Sequence, residues 1–478
     1  MEKIQLLLNK LKKRQIPICL VFITMLLFQL PWLVGFFPGI ITDDSCGQLL
    51  MCIWGNYNDH HPMASSLLMY SSLLIGNRLF HSDNVGIFIY VLTQMLFQTF
   101  AFSLVIELFK RKKTTSRIIL FTMFFYCIFP FWGNSSILFC KDIGYGISCL
   151  ICLITVQMCF TCKNVPDKGM IFEKALLIIS LIGMMVFRHE GVIISVFILV
   201  LLFFSFPSKR ALVVIASAGV IGFLIINSFF INLLHVEKGS VREALSLPIL
   251  ITSAYCDRYP GDLSTEDTNL LKELFDIADV EELSNYTNYD ISDDLKAKMV
   301  YSPEKRALLE YGTFLLKKFI KHPGLYFEMV YRHASGYINP FDEKYEDIDS
   351  FLYILGGEKR TDEYLSVYFS GNIGIRNKLR NYMHLWDDSP VAGVLFNPGF
   401  YTCLLLLDCI LLLASRKRRH ILYFLPAFLT VLILALSPLN GSVRYAIPLM
   451  ITMPVYFELA VSQFASIFTK IKSDVSKI

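Results

Sequence analysis

The chain has 478 residues, of which 54% are hydrophobic and 18% are charged. A soluble domain carries about 25% charged residues, so this composition excludes an ordinary soluble protein and predicts an integral membrane protein. The formal net charge of +4 is too small to indicate a nucleic-acid partner.

Apolar runs recur along the chain, and the longer ones can cross about 30 Å of hydrocarbon as helices. In chain order, they predict ten spanning helices, at about 16–38, 84–109, 118–139, 143–162, 174–187, 191–206, 211–233, 391–414, 421–437 and 446–468. The apolar stretch from His61 to Phe80 is short and interrupted by polar residues, which favours an interfacial helix within the first outer loop, residues 38–83. The expected fold class is an all-α polytopic membrane protein.

The basic residues predict its orientation, because Lys and Arg near a membrane stay mainly in the cytoplasm. One assignment puts every membrane-flanking basic cluster inside, namely those at 10–14, 110–113, 163–168, 209–210, 416–419 and 470–472. Both termini of this cell-membrane protein are therefore expected in the cytoplasm.

The same assignment puts the long polar segment from His235 to Pro390 outside. This segment contains 27 of the 40 acidic residues but 18 of the 44 basic ones, and its apolar spacing predicts helices near 270–283 and 305–320. The chain is thus expected to have three parts: an N-terminal transmembrane module, an extracytoplasmic and mainly helical domain, and a C-terminal three-span segment, at 1–234, 235–390 and 391–478.

Charged and polar residues gather at the predicted outer turns, and such residues beside a bilayer are candidates for function. The candidates are Asp43, Asp44, Gln48, His60 and His61 in the first loop, Lys141 and Asp142 in the second, Arg188, His189 and Glu190 in the third, and Arg444 and Tyr445 in the last. A carboxylate can deprotonate a hydroxyl, and arginines bind phosphate through charge-assisted hydrogen bonds. This combination suits a reaction with a phosphate leaving group.

Each feature also has a purely structural interpretation. Asp43 and Asp44 can cap a helix, Arg188 and Arg444 can extend to lipid headgroups, and Lys141 with Asp142 can be a self-neutralising pair. His60 and His61 can sit at a helix entrance, and nothing supports a divalent metal ion there. The sequence requires no cofactor.

The order of these motifs resembles the GT-C membrane glycosyltransferases, in the branch of the protein O-mannosyltransferases and the lipid A aminoarabinose transferases. The motifs Pro38-Gly39, Asp44-Ser45, Gln48, His61-Pro62 and Phe187-Arg188-His189-Glu190-Gly191 are similar to those of an uncharacterised group of bacterial GT-C-like proteins. The resemblance implies a ten-span GT-C fold.

It also implies an inverting enzyme that takes a sugar from a polyprenyl-phosphate donor and transfers it, at the extracytoplasmic face, to a glycan, lipid or protein acceptor. Asp44 matches the catalytic aspartate, with Asp43 as the alternative, and Asp142 matches the second-loop acid. Arg188, Arg444 and Lys141 would hold the donor phosphate. Gln48, His60, His61, His189, Glu190 and Tyr445 would line the substrate pocket.

Two other functions fit the same sequence: a transporter or flippase of lipid-linked glycans, and a non-catalytic membrane assembly protein. Transporters place their polar residues near the bilayer midplane, whereas these residues cluster at one predicted face. The sequence therefore favours the enzyme.

Overall fold

The computed structural model describes residues 17–160, 170–286, 290–342, 351–354, 357–361, 363–415 and 418–475. The basic residues at 10–14, 163–168 and 416–417, used above to predict orientation, lie outside these ranges. Helices dominate the described residues, with only two small sheets of two strands each.

The first part of the chain forms a long apolar helix, then a connection that contains a short strand and two helices, and then a second long helix. In order, these elements are α1 (Ile18–Phe36), β1 (Ile40–Ile41), α2 (Asp43–Trp54), α3 (Met63–Phe80) and α4 (Asp83–Lys112). Helix α2 begins where it does because the Thr42 side chain accepts a hydrogen bond from the Ser45 amide at 3.4 Å. The predicted helix from His61 to Phe80 is present as α3.

Six further helices complete the N-terminal part. They are α5 (Ser116–Ile128), α6 (Pro130–Ile137), α7 (Lys141–Phe160), α8 (Ile171–Phe187), α9 (Glu190–Ser205) and α10 (Arg210–Leu233), with the short strand β2 (Leu138–Phe139) between α6 and α7. Pro130 begins α6, and the axes of α5 and α6 differ by 51°.

The strands β1 and β2 pair in parallel, with Ile40 opposite Leu138 and Ile41 opposite Phe139. Each strand leads directly into a helix whose first turn carries an acid. Asp44 and Asp142 each lie three residues after the last residue of their strand. The Ser45 hydroxyl fixes this arrangement by donating a hydrogen bond to the Phe139 carbonyl at 2.6 Å.

The predicted exterior segment is mainly helical in its described residues. It contains α11 (Ser246–Arg258), α12 (Thr265–Leu274), α13 (Glu281–Ser284), α14 (Asp293–Lys298), α15 (Lys305–Lys321), α16 (Pro323–Ile338) and α17 (Ile373–Asp387), with the antiparallel strands β3 (Lys359–Thr361) and β4 (Ser366–Tyr368) before α17. Three helices follow: α18 (Pro398–Ala414), α19 (Leu425–Leu434) and α20 (Val443–Val475).

The helix expected near 305–320 is confirmed as α15, but the helix expected over 270–283 is wrong. The chain leaves helical geometry after Leu274, because Phe275 forms a β-bridge with Met299 instead. Two shorter helices, α12 and α13, take its place.

Buried apolar residues form two principal clusters. One draws only on residues between Leu247 and Met329, so α11 to α16 enclose a core of their own. The other unites the apolar helices with Tyr337, Phe351, Val367 and Met383. The later part of the exterior segment therefore packs on the transmembrane core.

Five helices in the described ranges are long and apolar enough to cross a bilayer: α1, α4, α7, α10 with its preceding turn, and α20. The bent pair α5 and α6 would make a sixth. The apolar helices α9, α18 and His420–Leu434 have only 10–17 residues. The protein therefore has the helical composition of a membrane protein, while ten full spans are not confirmed.

Candidate active site

Four helices begin at one charged cluster. Asp44 lies in the first turn of α2, Asp142 in the first turn of α7 and Glu190 in the first turn of α9, while Arg444 is the second residue of α20. The first turn of a helix has unsatisfied amide groups and the positive end of the helix dipole. The convergence of four such ends favours negative charge at this point.

Two arginines link the three acids. The Nη1 atom of Arg444 lies 2.9 Å from Oδ2 of Asp44, and its Nε atom lies 3.7 Å from Oδ2 of Asp142. The Nη1 atom of Arg188 lies 3.5 Å from Oδ1 of Asp142, and its Nε atom lies 2.5 Å from Oε1 of Glu190. Asp142 therefore stands between the two guanidinium groups.

The two aspartates differ in burial. The Asp142 side chain is 1% exposed and also accepts a hydrogen bond from the Cys140 thiol at 3.3 Å. The Asp44 side chain is 33% exposed, although it is paired with Arg444. Asp44 is therefore accessible to solvent, whereas Asp142 is enclosed between the arginines.

Tyr445 adds an aromatic face between the arginines. Its ring centroid lies 4.7 Å from the guanidinium carbon of Arg188 and 5.4 Å from that of Arg444. On α7, the ring centroid of Tyr145 lies 5.7 Å from the guanidinium carbon of Arg188. These cation–π contacts restrict the arginine side chains in a partly desolvated site.

Burial and the neighbouring charges set the protonation states of Asp44 and His61 in the first loop. Burial raises the pKa of Asp44, but the charges of Arg444 and Lys141 help to bring it below its ordinary value. Burial and the Lys141 charge lower the pKa of His61 to about 3, against the opposing effect of Asp44. At neutral pH, Asp44 is therefore a carboxylate and His61 is uncharged.

A cleft of about 330 Å³ adjoins the first loop. It is lined by Gly47, Gln48, Met51, Asn58, His60 and His61 from that loop, and by Ser240, Arg242, Glu243 and Tyr301 from the exterior segment. The two sides are joined by backbone hydrogen bonds, including one of 2.8 Å from the Asp59 amide to the Glu237 carbonyl. This volume is within the range of roughly 300–1,000 Å³ typical of ligand sites.

Besides Tyr445, six predicted site residues take no part in the ion pairs described for this cluster: Asp43, Gln48, His60, His61, Lys141 and His189. Gln48 donates hydrogen bonds to Ser65 at 3.2 Å and Ser66 at 2.9 Å, which holds α2 against α3. The Nε2 atom of His189 lies 3.1 Å from the Asp59 carbonyl, so this side chain ties the α8–α9 turn to the first loop. Asp43 is exposed, and none of the described ion pairs involves it.

The sequence analysis did not identify Arg242, Glu243 and Tyr301, which form the exterior wall of the cleft, or Tyr145. Tyr145 was detectable, because it lies three residues after Asp142 on a helix and hence on the same face. The other three carry no local signal, since they are distant in sequence from the first loop. Among the described residues, no group of three or more His, Cys, Asp or Glu side chains is placed to hold a metal ion.

Comparison with other proteins gives a family but no function. No curated protein and no solved structure matches the chain. A family model matches residues 55–466, which include Asp142, Arg188 and Arg444 and begin after Asp44. The chain therefore belongs to DUF6020, a family of unknown function.

Proposed function

We propose that this protein is a membrane glycosyltransferase that uses a polyprenyl-phosphate sugar donor, with Asp44 as the general base. The observation that carries the proposal is the ion pair between the partly exposed Asp44 and Arg444. A partly exposed carboxylate can accept a proton, and the guanidinium 2.9 Å from it can offset the charge of a leaving phosphate. These are the two functions that this transfer needs.

In the proposed reaction, an acceptor hydroxyl oxygen attacks the anomeric carbon of the sugar. The bond between that carbon and the phosphate oxygen breaks, and the phosphate leaves with the bonding electrons. Asp44 receives the hydroxyl proton. Arg444 and Arg188 offset the negative charge that develops on the phosphate. Attack from the face opposite the leaving group inverts the anomeric configuration.

Donor binding would also change the pKa of the base, Asp44. Arg444 is the nearest charge that lowers the pKa of Asp44. When the donor phosphate engages Arg444, it offsets that charge, and the pKa of Asp44 rises towards the working pH. A base is most effective when its pKa lies near that pH.

Asp142 has a positioning role in this proposal. Its carboxylate is buried between the two arginines, 3.5 Å from Arg188 and 3.7 Å from Arg444. Without it, two buried guanidinium groups would repel each other across the donor site. Lys141, on the same helix turn, adds a further positive charge near Asp44.

A small apolar groove of about 70 Å³ lies near the arginines. It runs between α7, α8, α9, α19 and α20, and its lining includes Met184, Ile194, Pro448 and Tyr456. Met184, Ile194 and Pro448 each lie four residues, or about one helical turn, from Arg188, Glu190 and Arg444 respectively. The groove is smaller than the roughly 300–1,000 Å³ of ligand sites, so it supplies only an apolar contact for a lipid whose phosphate lies at the arginines.

The test is turnover in nanodiscs that contain radiolabelled polyprenyl-phosphate sugars and an envelope extract as the source of acceptor. We expect the wild type to consume one donor, and Asp44→Asn to reduce consumption by about 10²–10⁴-fold, the usual contribution of a general base. Asp43→Asn is the matched control and should retain activity, because Asp43 is exposed and outside the ion-paired cluster.

Equal consumption by the wild type and Asp44→Asn would show that the base is assigned wrongly. If the wild type moves labelled donor across the bilayer of proteoliposomes without consuming it, the protein is a flippase instead.

A further inference from the structure

A second groove lies near the C-terminal ends of α4 and α7 and the N-terminal ends of α1 and α8, beside the basic run 110–113 of α4. We call it the basic-end groove; its volume is about 680 Å³. It is lined by Pro17, Ile18, Phe100, Leu104, Glu107, Lys110, Arg111, Thr155, Met158, Phe172, Glu173 and Leu176. None of these residues belongs to the proposed catalytic site.

One face of α4 gives the groove an apolar half and a charged half. Phe100, Leu104, Glu107 and Arg111 follow one another at intervals of four, three and four residues, so they share a helix face. They span about 16 Å at 1.5 Å per residue. The surface changes from apolar to charged along this distance, as an amphiphilic ligand would require.

The charged half contains two acids and two bases. Arg111 donates to Oε1 of Glu173 at 2.7 Å and to Oε1 of Glu107 at 3.2 Å, and Lys110 lies 3.3 Å from Oε2 of Glu107. These four side chains sum to zero formal charge. A zwitterionic ligand therefore matches this part of the groove better than an anion does.

One acceptor in the charged half lacks a donor. The Glu173 side chain is 9% exposed, and its Oε2 atom is buried without a hydrogen-bond partner in the described part of the chain. A buried carboxylate oxygen that accepts no hydrogen bond is costly. A ligand with a hydrogen-bonding cation would remove that cost.

We propose that the basic-end groove binds a phospholipid with a primary ammonium headgroup, of the phosphatidylethanolamine class. The ammonium group donates to Glu173 Oε2, the phosphate lies beside Lys110 and Arg111, and an acyl chain follows Phe100 and Leu104. By the distribution of basic residues, this end of α4 faces the cytoplasm, so the lipid comes from the inner leaflet. The inference is independent of the proposed catalytic function.

The choice of headgroup has a chemical reason. The trimethylammonium group of phosphatidylcholine has no N–H to donate to Glu173. Phosphatidylglycerol has no cation, and it adds a negative charge beside two glutamates. Phosphatidylethanolamine alone among these three lipids supplies both a donor and zero net charge.

The experiment is native mass spectrometry of the purified full-length protein with the three lipids, at equal concentration and with identical acyl chains. We expect phosphatidylethanolamine to bind at least about tenfold more tightly than phosphatidylcholine, a difference of about 1.4 kcal/mol. Glu173→Gln should abolish this preference, because it removes the carboxylate charge. Glu281→Gln, at an exposed acid in the exterior segment, should retain it.

A second variant tests the groove without changing its charges. Leu176→Trp places a larger side chain in the groove, and it should weaken binding of the preferred lipid. Equal binding of the ethanolamine and choline lipids to the wild type would overturn the proposal. So would a lipid preference that persists in both Glu173→Gln and Leu176→Trp.

Discussion

At the scale of single residues, burial distinguishes two chemically identical acids. Asp44 and Asp142 both contact Arg444, yet their side chains are 33% and 1% exposed. An acid that takes a proton from a substrate must be reachable. An acid enclosed by two guanidinium groups instead offsets their mutual repulsion.

The pH dependence of turnover tests the pairing of Asp44 with Arg444. Burial raises the pKa of Asp44, and Arg444 lowers it. Removing the charge with Arg444→Gln should therefore raise that pKa. The base would then become protonated at a higher pH, so the acid limb of the pH–rate profile should move to higher pH.

Arg444→Lys retains a positive charge and should leave the acid limb closer to that of the wild type. The measurement is kcat/KM against pH for all three proteins. An acid limb at the same pH in Arg444→Gln and the wild type would contradict the proposed interaction.

At the scale of secondary structure, short connections place the site residues. The pairing of β1 with β2 aligns the starts of α2 and α7. The turn between α8 and α9 places Arg188 and Glu190 beside each other. Gly191 is necessary in that turn, because a Cβ atom at this position would lie 2.0 Å from the Met184 carbonyl oxygen.

Gly191→Ala should therefore displace the turn that carries Arg188. We expect a loss of stability of about 1–3 kcal/mol, as for other overpacked sites, together with reduced donor turnover. Gly222→Ala in α10 is the control, because a Cβ atom there meets nothing within 4 Å. Thermal unfolding in detergent and the turnover assay measure the two effects; similar behaviour of the two variants would argue against a steric role for Gly191.

At the scale of the whole molecule, the two hydrophobic clusters describe how the exterior segment is attached. Residues from Leu247 to Met329 have their own core, whereas Tyr337 and later residues join the core of the apolar helices. The first loop contacts the beginning of the exterior segment through the Asp59–Glu237 hydrogen bond. The candidate cleft lies at this junction.

The predicted orientation can be tested by labelling with a membrane-impermeant maleimide. Ser302 is exposed in the predicted exterior segment, and Ser208 is exposed in a predicted cytoplasmic turn. Ser302→Cys should react in intact cells, whereas Ser208→Cys should react only after the membrane is opened. Mass spectrometry of the labelled peptides separates these sites from the 12 native cysteines. The reverse labelling pattern would show that the protein has the opposite orientation in the membrane.

The apolar runs of the sequence predict where the apolar helices form. Every predicted span overlaps a helix in the described residues, because a hydrophobic run in lipid must satisfy its own backbone hydrogen bonds. The sequence also predicted which outer turns carry acids and arginines. It did not determine how many helices are long enough to span, since polar turns and bends divide the apolar runs.

Which of these residues are in contact depends on the tertiary structure. Asp44 and Arg444 are 400 positions apart in the chain, and local spacing carries no information on such a contact. Burial also depends on the neighbours that packing brings, so the sequence could not distinguish the partly exposed Asp44 from the enclosed Asp142. Arg242 and Tyr301 could not be predicted as cleft residues for the same reason: they line the cleft because the exterior segment packs against the first loop.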